Sequence, residues 1–270
     1  MGPKRRGYDE HLLGRGASLA PRVEEAVPFC WMCGQTSGTR AKEHTFALSL
    51  IRALGAEGEL HRATHRPAIG DKPISQRGPF PIERMVAGEV CKACNGGWMS
   101  ALEVAALPIL VPPDPSAPIT PGDQAVLARW LLKTAAVLNS SQNYRLMLPA
   151  QVRHSAARDP HPDVKVFLGR RTLDAGKIEF GQQAGVTFGF APTDRQPELR
   201  ALMAKGYACA IGVNDLLGIV AYAPPGGWAV PSVEAVRIWP TARALSRLEL
   251  PLIEHLFEAV WLQGSLPGAS

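Results

Sequence analysis

Cys91-Lys92-Ala93-Cys94-Asn95-Gly96-Gly97-Trp98-Met99-Ser100-Ala101-Leu102-Glu103 is matched far upstream by Cys30-Trp31-Met32-Cys33. Each CxxC turn presents two thiolates on one side, and zinc takes four soft ligands in a tetrahedron, so two knuckles complete one shell. The spacing predicts a structural zinc ion on Cys30, Cys33, Cys91 and Cys94. Cys209, the fifth cysteine, lies in a strand-like run and reads as a small buried hydrophobe.

Between the knuckles stands Lys42-Glu43-His44-Thr45-Phe46. A CxxC, an acid-histidine pair and then Cys-x-x-Cys-Asn resembles the zinc-bound branch of the HNH endonuclease family. The Glu43-His44 pair with Cys94-Asn95-Gly96-Gly97-Trp98-Met99 and Leu102-Glu103 resembles, more narrowly, a bacterial subgroup of that family, over about residues 29 to 105. The resemblance implies a ββα-metal module, with the zinc holding strand and helix together. It also implies catalytic roles for His44, Glu43 and Asn95. His44 would be the general base, and Glu43 and Asn95 the ligands of one catalytic Mg²⁺ or Mn²⁺, with Glu103 a further candidate ligand two turns along the helix. An imidazole accepts a proton near neutral pH, and a hard cation on few oxygens keeps positions open for water and phosphate. The expected activity is hydrolysis of phosphodiester bonds, with DNA the first substrate and RNA the second. The reading from another class is a zinc-stabilised nucleic-acid-binding or scaffold protein that has lost cleavage.

Charge agrees with a polyanionic partner. The chain of 270 residues carries a formal net charge of +5, and residues 1 to 100 hold 14 Lys and Arg against 10 Asp and Glu, so most of the excess is N-terminal. Each neutralised phosphate releases condensed counterions, which favours binding by such a surface. Arg40, Lys42, Arg52, Arg62, Arg66 and Lys92 are the candidate contacts. His61 and His65, four apart but flanked by arginines, read as a solvated segment. No apolar run is long enough to span a bilayer, and Met1-Gly2-Pro3-Lys4-Arg5-Arg6 is not followed by a leader-like apolar stretch, so a cytoplasmic location is expected.

The predicted fold class is α+β: a basic tail over 1–28, the zinc-bound module over 29–107, a proline-rich linker over 108–121, and an α+β domain with a mostly antiparallel sheet over 122–270. In the last of these, Asp123 is expected to cap a helix with Val126, Leu127, Trp130, Leu131, Thr134 and Leu138 at helical spacing. Strands are expected at 144–148, 164–168, 177–190, 207–213 and 216–223, the last two joined as a hairpin at Asn214-Asp215. A closing helix is expected over about 250–262.

Overall fold

The computed structural model describes residues 30–36, 38–65, 75–140, 148–172, 176–184, 205–223, 228–231, 233–239, 244–259 and 262–265. The expected tail at 1–28 and Arg66 lie outside them, as do 144–147 and 185–190 of the expected strands.

Strand β1 (Arg40–His44) is followed by helix α1 (Leu48–Leu54), the hairpin of β2 (Leu60–His65) and β3 (Ser75–Pro81), and strand β4 (Val86–Cys91). β4 returns antiparallel to β1, with Arg40 opposite Cys91, Glu43 opposite Ala87 and His44 opposite Val86. It runs directly into α2 (Lys92–Cys94), a turn over Asn95–Met99 that kinks at Gly97, and α3 (Ser100–Leu110). Two paired strands and a helix thus meet at the second knuckle.

Helix α4 (Pro121–Ser140) occupies the centre of the molecule. Thr120 and Asp123 cap it reciprocally: the Thr120 N–H donates to Asp123 Oδ2 at 2.9 Å, and the Asp123 N–H donates to Thr120 Oγ1 at 3.1 Å. Thr120 is therefore the cap and Asp123 its partner three residues on, with Pro121 in the first turn, where no N–H is needed. Thr120→Ala should lower stability by about 1 kcal/mol in urea unfolding, because it leaves the Asp123 N–H without its acceptor.

α4 is buried around most of its circumference, including Leu127, Ala128, Trp130, Leu131, Leu132, Lys133, Thr134, Ala135 and Ala136. Such a helix must be covered on several sides. One cover is the strand-strand-helix unit, which meets α4 through β4 and α3. The other is a five-stranded antiparallel sheet, which follows the short α5 (Ala150–Ser155). Its strands are β5 (Val164–Arg170), β6 (Ile178–Ala184), β7 (Tyr207–Val213), β8 (Leu216–Tyr222) and β10 (Val236–Trp239). Their order across the sheet is β10-β5-β8-β7-β6. Alternation sorts the residues between two faces. Val164, Val166, Leu168, Tyr207, Cys209, Ile211, Leu216 and Val220 join the core that contains α4. Phe167, Ala208, Ala210, Leu217, Ile219 and Ala221 form a second cluster on the far side with Ile253 and Ala259. Gly218 admits Leu131 of α4 against β8, where a Cβ would collide with it. The β7–β8 turn has Asn214 at φ 52°, a left-handed conformation that Asn tolerates, and the expected hairpin is present.

Two expectations are corrected here. The stretch 108–121 does not separate one core from another: α3 continues through Pro108, Leu110 is buried, and Ile119 pairs with Leu245 through N–H to carbonyl bonds of 2.7 and 3.0 Å. One apolar cluster runs from Cys30 through α4 to Leu250. The segment after Leu250 is not a long helix either. Its backbone is held extended by Arg170, whose N–H donates to the Pro251 carbonyl at 2.7 Å and whose carbonyl accepts from the Ile253 N–H at 2.8 Å. Among the described residues there, only α6 (Leu256–Ala259) is helical, and β11 (Leu262–Ser265) pairs with β9 (Trp228–Pro231). Among the described residues no helix is long and apolar enough to cross a membrane.

Candidate metal centre and its surroundings

The first knuckle precedes β1 and the second joins β4 to α2, and the β1–β4 pairing brings these two stretches together. The four cysteine sulfur atoms lie within 4.8 Å of one another, and all four are free thiols. A tetrahedron with Zn–S bonds of about 2.3 Å has S···S edges of about 3.8 Å. Cys33 Sγ and Cys91 Sγ stand 3.8 Å apart. Backbone donors already face the sulfurs: the Cys91 N–H donates to Cys30 Sγ at 3.3 Å, and the Cys94 N–H to Cys91 Sγ at 3.4 Å. These contacts stabilise thiolate character. Burial pushes the Cys94 and Cys33 thiols up, whereas at Cys91 burial is outweighed by the Cys94 N–H and the neighbouring thiols, and its pKa falls. The donor set, the spacing and the buried setting fit a zinc-type ion that replaces the thiol protons. The cluster could hold such a metal, as the sequence predicts.

The knuckle is locked to the rest of the molecule by Trp31. Its indole Nε1 donates to the Ala136 carbonyl of α4 at 2.8 Å, its own carbonyl accepts from Arg153 Nε at 2.8 Å, and the Arg153 guanidinium lies 3.4 Å from the ring centroid. The geometry of the cysteine cluster and the burial of α4 are therefore mechanically linked. Cys209, on the sheet face against α4, is fully buried, and its thiol is pushed up to about 12 by burial, which agrees with the small-hydrophobe reading.

Glu43 turns inward from β1 and is buried. Its Oε1 lies 2.6 Å from the Nζ of Lys133, which projects from the middle of α4 and is completely buried. The same ammonium lies 2.6 Å from Glu103 Oε1, and Glu103 Oε2 accepts from the Trp130 indole at 2.8 Å. Burial alone would lower the lysine pKa, but the Glu103 and Glu43 carboxylates raise it above 10.5, so the ammonium stays charged. Both oxygens of Glu103 are thus engaged, and it serves as a buried ion-pair partner instead of the extra metal ligand considered from helical spacing. Sequence reading missed Lys133 and Trp130 as members of this site. The available signal was a lysine set in the apolar run Leu131-Leu132-Lys133-Thr134-Ala135, which needs a buried acid as partner.

Asn95 begins the turn after the second knuckle. Its Nδ2 donates to the Lys42 carbonyl at 3.2 Å, which places this side chain beside the residue that precedes Glu43. His44, half-buried, ends β1. Arg40, Lys42 and Lys92 are exposed around the same strand ends, and the Lys92 N–H donates to the Thr39 carbonyl at 2.9 Å. Arg52 is on α1 and pairs loosely with Glu57 at 3.8 Å, and Arg62 is exposed on β2. His61 lies on β2, a strand and not the helix its spacing with His65 would need for a shared metal. Burial lowers its pKa. Met99 is buried in the core, and the partly buried Trp98 packs against it.

No family model, curated protein or solved structure matches the chain. Fold and site together define an α+β protein with a four-cysteine cluster able to bind a metal such as zinc.

Proposed function

We propose that the strand-strand-helix unit is a zinc-stapled nuclease centre of the HNH type, which hydrolyses phosphodiester bonds in DNA. One observation carries the reading: among the described residues, the Glu43 and Asn95 side chains are each tied to the protein through one atom and keep one oxygen. The ion pair of Glu43 runs through Oε1, leaving Oε2, and the hydrogen bond of Asn95 runs through Nδ2, leaving Oδ1. Side chains held in this way lose little freedom when an oxygen takes up a hard cation. The bond from Asn95 reaches the carbonyl of Lys42, the residue before Glu43. Glu43 and Asn95 would hold the Mg²⁺ or Mn²⁺ ion.

When bound, that ion supplies positive charge to the scissile phosphate and to the departing 3′-oxygen. His44 takes the proton of the attacking water. Arg40, Lys42 and Lys92 receive the flanking phosphates. Products with a 5′-phosphate and a 3′-hydroxyl follow from release of the 3′-oxygen.

A second reading, a zinc-stabilised DNA-binding protein without cleavage, is favoured by the neutralisation of Glu43 by Lys133. Incubation of the zinc-loaded protein with duplex and single-stranded DNA, with and without added Mg²⁺ or Mn²⁺, separates the two. Cleavage that requires the added ion supports the nuclease. Binding without cleavage on every substrate supports the second reading. Under either, affinity for DNA should fall steeply between about 50 and 200 mM salt, because the contacts are to phosphates. A flat salt titration would remove nucleic acid as the partner.

A further inference from the structure

The Glu43–Lys133–Glu103 cluster joins β1, α3 and α4, and it is the only place where helix α4 reaches a residue of the proposed catalytic set through a charge contact among the described residues. We infer that Lys133 is a positioning residue, which fixes the Glu43 carboxylate so that its second oxygen is presented to the catalytic divalent cation. The inference rests on the nuclease reading above and names a residue outside the segment that carries the family resemblance.

Three features support it. First, the lysine is fully buried, and a charge so placed is tolerated only when its partners are fixed. Second, Lys133 is itself held. Its contact with Glu103 Oε1 is as short as that with Glu43 Oε1, and Glu103 is pinned at its other oxygen by the Trp130 indole. Trp130 and Lys133 are three residues apart on α4 and so lie on neighbouring positions of one helix face. The cluster is therefore a chain of fixed donors and acceptors that ends at Glu43. Third, the charges suit a cation. Two carboxylates and one ammonium leave one negative charge on the cluster, and Glu43 contacts the ammonium through only one oxygen. Partners behind a metal-ligating carboxylate act in this way, and their removal costs about 10- to 100-fold in metal affinity.

The opposite possibility is that the ammonium takes the place of the cation. The two differ in the sign of one measurement. Mn²⁺ affinity is measured by titration followed by electron paramagnetic resonance, on zinc-loaded wild type, Glu43→Gln, Lys133→Met, Glu103→Gln and the double variant Lys133→Met with Glu103→Gln. The double variant removes one negative charge together with the lysine, which preserves folding if the single variant unfolds. If Lys133 positions Glu43, Mn²⁺ binds the lysine variants roughly 10-fold more weakly than wild type. Zinc content stays unchanged, and Glu103→Gln alone stays near wild type because the lysine still holds Glu43. Equal or tighter Mn²⁺ binding to the lysine variants, with binding lost in Glu43→Gln, overturns the positioning role and leaves the nuclease reading standing. Equal binding to wild type and Glu43→Gln removes Glu43 as a ligand, and both the reading and the inference fall.

Discussion

If the four-cysteine cluster holds zinc, Cys91→Ser is expected to lose the ion and to unfold far more than the knuckle itself. A serine hydroxyl cannot replace a thiolate in a closed four-sulfur shell. In small zinc domains, metal binding is worth about 10–16 kcal/mol of folding free energy, against total stabilities of about 5–15 kcal/mol for ordinary domains. Loss of the ion would therefore remove a free energy comparable to the whole stability margin. The damage spreads because Cys91 lies at the junction of β4 and α2, while the first knuckle carries Trp31, which is bonded to α4 and covered by Arg153. Elemental analysis should give about one zinc per chain for the wild type and none for Cys91→Ser, with a lower thermal midpoint and weakened DNA binding. Cys209→Ser is the control: it disturbs a buried strand but should retain the zinc, because its sulfur lies outside the four-cysteine cluster. A Cys91→Ser protein that retains one zinc and melts like the wild type would end the account of the metal centre.

His44→Ala should reduce cleavage by at least about 100-fold while zinc content, thermal stability and DNA affinity stay near wild type. A general base acts in the transition state and contributes typically 10²- to 10⁴-fold. The structural cost is small. His44 is half-buried at the end of a strand opposite the exposed Val86, and its removal leaves the buried cluster of Glu43, Lys133 and Glu103 intact. Glu43→Ala differs in kind, because it also deprives Lys133 of one of its two counter-charges and so lowers stability. Removal of one member of a buried ion pair typically costs 3–5 kcal/mol. His44→Ala that cleaves at the wild-type rate, in a preparation free of other nucleases, would exclude His44 as the base.

The sheet shows where sequence reading succeeded. β7 and β8 were legible because their alternate residues are apolar on both faces and because Asn214-Asp215 supplies the turn, so local pattern and tertiary burial agree. After Leu250 they disagree. Leu252, Leu256 and Val260 recur every four residues, as on a helix, yet the backbone pairs with Arg170 and Leu252 is left 52% exposed. Nothing in the segment itself announces that partner, which lies 80 residues upstream.

The candidate site divides in the same way. The chain by itself announced four candidate metal ligands, because each CxxC turn carries its geometry within four residues, and the β1–β4 pairing then brought the two turns together. It also determined that α4 would be a helix and that Cys209 would be an inert core residue. Only the tertiary structure decided that the proline-rich stretch carries a shared core past it, that Glu103 is spent on Trp130 and Lys133, and that Lys133, 90 residues from Glu43, neutralises one of its oxygens. The physical reason is range. Metal knuckles, caps and turns are set by bonds within a few residues, whereas the pairing of a buried charge depends on which helices and strands the apolar core packs together.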